Sequence, residues 1–107
     1  MPKTYCIYST HPTAAQARQT ARMLLQKKPV ACCNILPEAE SHYRWKGKLT
    51  KTSEWVMLSK TVKARAKPAI KAIRALHPYD VPAIVAWPIG EGEPAFARWI
   101  HQETKAS

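Results

Sequence analysis

Apolar positions along the chain switch between the two-residue period of strands and the longer period of helices. Thr4–Ser9, TYCIYS, is β-branched and aromatic, as a strand should be. HPT then breaks the run. Ala14, Ala17, Ala21, Leu24 and Leu25 recur at helical spacing and make one stripe. Thr13 and Gln16 fit a capping box, in which a hydroxyl and an amide satisfy free N–H groups at a helix start. The helix is expected to reach about Lys28. Lys27 and Lys28 suit its negative end, and Pro29 stops it.

Val30–Lys46 reads as a long extended segment. Pro37 cannot donate to a ladder, so a bulge or bend is expected there. Lys46-Gly47-Lys48 is a hairpin turn, and a return strand spans about Leu49–Thr61. A second helix covers roughly Val62–Leu76, with Ile70, Ile73 and Leu76 as its buried stripe. Pro68 is accommodated if regular helix begins near Lys67. His77-Pro78-Tyr79 ends it. Pro82–Ile89 is the last strand, and Gly90 and Gly92 flank a turn. Pro94 opens a short helix with Phe96, Trp99 and Ile100 on one face. The order β-α-β-β-α-β predicts an α+β, ferredoxin-like fold. It is an antiparallel sheet with two helices on one face, a long β-hairpin and a C-terminal helix.

The strands do not alternate apolar with polar. In YCIY, Tyr5 and Ile7 oppose Cys6 and Tyr8; in WVML, Trp55 and Met57 oppose Val56 and Leu58; in AIVAW, Ile84 and Ala86 oppose Val85 and Trp87. Both faces of the sheet are therefore apolar, and two helices can cover only one. Soluble monomers rarely expose so large a patch. Burial favours hiding it by about 25 cal/mol per Å² before association costs. Self-association is expected. In the hairpin, Tyr43 and Trp45 point to one side, suited to a partner. His42, Arg44 and Lys46 point to the other, suited to solvent.

Length and charge add limits. A chain of 107 residues is expected to be a single domain over residues 1–107. No stretch resembles a signal peptide, and no apolar run approaches a membrane span. Cys6, Cys32 and Cys33 form no paired framework and read as reduced thiols, so a cytoplasmic location is expected. The net charge of +10, from 17 basic and 7 acidic residues, suggests attraction to polyanions without specifying a fold.

Three chemistries compete. For a metal, Cys32 and Cys33 project to opposite faces of a regular strand and cannot easily share an ion. No CxxC or HxxxH spacing occurs, so structural zinc is not expected. Cu(I) accepts few, soft ligands, and Cys32, Cys33 and His77 are the candidates. For catalysis, Cys32 with His77 could form a nucleophile and base, with Glu54 or Asp80 as possible orienting acids. Carboxylates are scarce, no Gly-rich phosphate loop exists, and no enzyme is expected. For RNA, the element order, the aromatics and the charge fit a recognition-motif sheet, but its K/R-G-F/Y-G/A-F-V-x-F/Y signature is missing. An RNA-binding module on this basic, aromatic-bearing sheet is the alternative reading.

ACCNILP, YRWKGKL, SEWVMLSKT, HPYDVPAIVAWPI and FARWI, in this order, resemble the signature blocks of the CutA divalent-cation tolerance family. The resemblance covers about Lys3 to His101. It implies a ferredoxin-like homotrimer, cytoplasmic in bacteria, serving tolerance of divalent metals and notably copper. It implies no established enzymatic activity, and a shape like PII-type signalling trimers. By position it assigns Tyr43, Trp45, Glu54, Lys60, Tyr79 and Trp99 to subunit contacts and an inter-subunit cleft. A small ligand or metal could sit in that cleft. Copper or another divalent cation is the implied cofactor, with Cys32 and His77 as candidate ligands. Neither a membrane nor a nucleic-acid partner is expected. The chain departs from the pattern at Thr50 and Thr52, where acids are common, and at Pro29, where leucine is common. It also departs at Ser9, where some relatives carry a cysteine proposed to bind copper.

Overall fold

A computed structural model describes residues 3–27 and 29–105. Lys28, expected in the helix end, lies outside the described residues. The elements are β1 (Thr4–His11), α1 (Ala14–Lys27), β2 (Cys32–Trp45), β3 (Lys48–Val62), α2 (Lys63–Leu76), β4 (Ile84–Pro88) and α3 (Pro94–Glu103). The sheet runs β2-β3-β1-β4 with every neighbouring pair antiparallel. This is the expected βαββαβ, ferredoxin-like α+β arrangement.

Paired residues in an antiparallel sheet share a face, so the register sorts the strands. Ile7, Ser9 and His11 of β1, Met57 and Ser59 of β3, Cys33 and Ile35 of β2, and Ile84 and Ala86 of β4 face the helices. There Ile7, Leu24, Val30, Met57, Ala69 and Ile73 form one closed core. Cys6, Tyr8, Cys32, Leu36, Val85 and Trp87 face the other way. α3 closes only one end of that second face, where Ile100 packs with Ala31 and Val62. Leu36 remains 43% exposed, Val85 54% and Trp87 44%. The apolar second face is real and open in the single chain.

Local chemistry explains the long hairpin. β2 and β3 meet at Trp45↔Lys48, so the loop is the two residues Lys46 and Gly47. Both have positive φ, 50° and 79°, the type I′ geometry that matches strand twist. The register slips between Leu36 and Ala39, a bulge around Pro37 that re-aims the strand. After it, Ala39, Ser41, Tyr43 and Trp45 lie on the open face. The hairpin projects from the body: the longest dimension is 45 Å and the radius of gyration is 14.4 Å, against about 13 Å for a compact chain of this length.

Four expectations change. α2 is regular from Lys63, not from near Lys67, with Pro68 inside it. Pro68 removes the donor for the Ala64 carbonyl, but both residues are exposed, so water can satisfy it. β4 is shorter than Pro82–Ile89, and β1 continues through His11. The capping box is half formed: Gln16 N–H donates to the Thr13 hydroxyl at 3.0 Å, while the Gln16 amide is used elsewhere.

Candidate functional site

The bulge at Pro37 turns the far half of β2 so that its aromatics overhang the open face. β1 lies beneath, and the loop after α2 rises alongside. Together they frame a groove of about 800 Å³. Tyr8 and Thr10 of β1 and Glu54 of β3 form its floor, Tyr43 and Trp45 of β2 one wall, and Tyr79 and Asp80 of the loop the other.

Glu54 is the unusual group. It is 7% exposed, and carboxylates this buried are rare unless paired. The ion pairs among the described residues join Glu40 to His42 at 2.8 Å and to Lys51 at 3.7 Å; Glu54 takes part in neither. Its charge is felt nearby. The Tyr79 phenol is held above the ordinary tyrosine range, by burial first, then by Glu54, by Tyr43 and by donation toward Glu54.

Behind the groove lie two histidines with their rings in tilted contact. The His11 and His77 rings are 5.2 Å apart, and Tyr79 lies 4.8 Å from His77. His77 Nε2–H donates to the Thr10 carbonyl at 2.7 Å, and the Tyr79 N–H donates to Nδ1 at 3.2 Å. These partners fix one neutral tautomer. His11 is fully buried. Its Nδ1–H donates to Gln16 Oε1, and its Nε2 accepts from the Ser9 hydroxyl at 2.8 Å. The Gln16 amide donates on to Thr20 at 3.2 Å and to the Leu76 carbonyl at 3.1 Å. Burial depresses the His11 pKa; His77 adds to this, and the Gln16 hydrogen bond and Glu54 oppose it.

The residues singled out in the sequence thus separate into groups. Tyr43, Trp45, Glu54 and Tyr79 share the groove. Lys60 does not: its ammonium binds the Asn34 side chain on the open face. Trp99 stacks on Phe96 in α3, ring centres 5.8 Å apart. Cys32 pairs in register with Lys60, and Thr10, which holds His77, pairs with Val56. Four strand residues, about 13 Å, separate the Cys32 and His77 positions. Cys33 faces the core, where burial chiefly raises its pKa; the same cause raises that of Cys6. No three potential metal donors come together among the described residues. Both His77 nitrogens are engaged, so the donors of one chain do not fit a metal centre.

The sequence did not mark His11, Tyr8 or Thr10 as site residues, and it marked Gln16 only as a helix cap. One signal was available: both of these neighbouring histidines precede a proline, in HPT and HPY, and proline biases the preceding residue toward extended backbone. The RNA alternative finds no support. None of the residues lining the groove is Lys or Arg, so its charge has the wrong sign for phosphate.

The model of the CutA1 divalent ion tolerance protein family matches residues 5–103. The chain belongs to that family. It is 41% identical over 96 residues to the divalent-cation tolerance protein CutA of Thermus thermophilus, covering 89% of this chain and 92% of that one. Among solved structures, CutA from Xylella fastidiosa superposes with a TM-score of 0.93 at 38% identity, covering 96% and 99% of the two chains. A CutA from Archaeoglobus fulgidus, described as periplasmic, gives 0.92 at 33% identity over 95% and 99%. The chain spans 56% of the length of the mouse relative and 55% of the human one.

Proposed function

We propose that this CutA-family protein acts in the response to divalent metal ions, copper included, as a homotrimer whose open sheet faces cover one another. Residues 1–107 then act as one domain without enzymatic chemistry. The observation that carries self-association is the open face, where Leu36, Val85 and Trp87 are half exposed beside a projecting hairpin bearing Tyr43 and Trp45. Covering it gains hydrophobic free energy that a lone chain forgoes. The groove, on the same face, becomes a cleft between copies, able to report on a ligand as PII-like trimers do. Lys60 and Trp99 are assigned to contacts between copies.

A direct copper site has to draw donors from more than one copy, because one chain does not gather enough. Cys32, partly exposed on the open face, is the soft ligand available there. His77 keeps its ring for Thr10 and Tyr79. A cytoplasmic location suits three free thiols. No helix among the described residues is long and apolar enough to cross a membrane.

Light scattering tests the assembly. Calorimetry with Cu(I) and Cu(II) on the wild type and on Cys32→Ser tests the metal. A loss of affinity in Cys32→Ser is expected, and unchanged affinity would remove Cys32 as a ligand.

A further inference from the structure

We propose that the groove binds a small organic cation, an ammonium or guanidinium group seated on Glu54 between aromatic walls. This names the ligand class for the cleft proposed above and rests on that reading.

Three observations converge. Glu54 is nine-tenths buried, lines the groove, and has no cationic partner among the described residues. The Tyr79 phenol donates toward this carboxylate, but no cation among the described residues balances its charge, and a buried charge is held best by an opposite one, which here would come from outside the chain. The second observation is the lining. The chain has 17 Lys and Arg residues, yet none borders the groove, whose other acid is Asp80. Its one basic side chain, His42, is turned to Glu40 at 2.8 Å. Third, Tyr8, Tyr43, Trp45 and Tyr79 present aromatic rings there. Ring faces attract cations, most strongly where water is displaced.

The chemistry selects among occupants. An anion meets two carboxylates. A divalent metal meets no cluster of three donors. A lysine tip from a second copy would satisfy Glu54 but fill little of about 800 Å³, a volume in the range of small-molecule sites. An alkylated ammonium or a guanidinium uses both the carboxylate and the rings.

The test titrates the full chain with tetramethylammonium chloride, holding ionic strength constant with sodium chloride. NMR shifts of Tyr43, Trp45 and Tyr79 report binding. tert-Butanol serves as the uncharged probe of similar shape. Saturable shifts with tetramethylammonium and none with tert-butanol are expected. Glu54→Gln should weaken binding by about tenfold or more, while Glu91→Gln, at an exposed site outside the groove, should not. Light scattering on each variant separates this from assembly. A wild type that assembles but shows no saturable shift overturns the organic-cation site and leaves self-association standing. Equal binding by Glu54→Gln, or equal saturation by tert-butanol, also overturns it. If Glu54→Gln dissociates the particle and the wild type ignores tetramethylammonium, the cation comes from a second copy and the proposal fails.

Discussion

The two faces of the sheet are made from the same four strands, yet they are finished differently. Under α1 and α2, Ile7, Met57 and Ile73 have no exposure at all. On the opposite face, side chains no less apolar stand in water, and a buried carboxylate lies among them without a counter-ion. The first face is complete within one chain. The second is left open in the single chain. Packing that needs nothing else sets the fold, and the open face is where partners and ligands are proposed to act.

The largest effect should come from opening the finished face. Met57→Ala removes a fully buried side chain between β1, β2 and the helices and should cost about 2–5 kcal/mol, read as a fall in the urea midpoint. A loss below about 1 kcal/mol would mean that the face is looser than its burial indicates.

Acid should act on the same face. Burial keeps the His11 pKa below its unfolded value, near 6.5. The unfolded chain therefore binds the extra proton first, and the stability present above about pH 6.5 is lost as pH falls through and below that value. Urea midpoints between pH 8 and pH 5 should show this fall, and His11→Gln should flatten it. An unchanged slope in the variant would place the titrating group elsewhere.

Much of this was legible beforehand because it is local. The hairpin turn at Lys46-Gly47-Lys48, the bulge at Pro37 and the two-faced apolar strands depend on neighbours in the chain. The fate of Gln16 and His77 did not follow from the sequence. Gln16 was free to close its capping box, but His11, Thr20 and, from sixty residues away in sequence, the Leu76 carbonyl claimed its amide. His77 resembled a metal ligand until the Thr10 carbonyl and the Tyr79 N–H occupied both nitrogens. Cys32 and His77 are each suited to metal as residue types, and only the strand register shows how far apart they are held. Four of the six expected cleft residues do meet, because the bulge brings Tyr43 and Trp45 over Glu54.

A smaller effect tests the hairpin that carries the unfinished face outward. Gly47 has φ of 79° and open space around its Cα, so Gly47→Ala meets only backbone strain. About 1 kcal/mol of lost stability is expected, by chemical denaturation. A neutral result would show that the turn relaxes freely.

The smallest effect on the chain itself should come from Val85→Ala on the open face. It should change single-chain stability by about 0.5 kcal/mol or less, measured at dilutions where copies separate, while weakening association at higher concentration. Equal losses at both concentrations would mean that Val85 serves the fold and not a partner.

Multi-angle light scattering at micromolar concentration is the most direct test of the difference between the faces. A single species of about three times the 12.1 kDa chain mass is expected, and Trp45→Glu with Val85→Glu should break it into smaller particles. A monodisperse wild-type species at 12.1 kDa would contradict the self-covering of the open face.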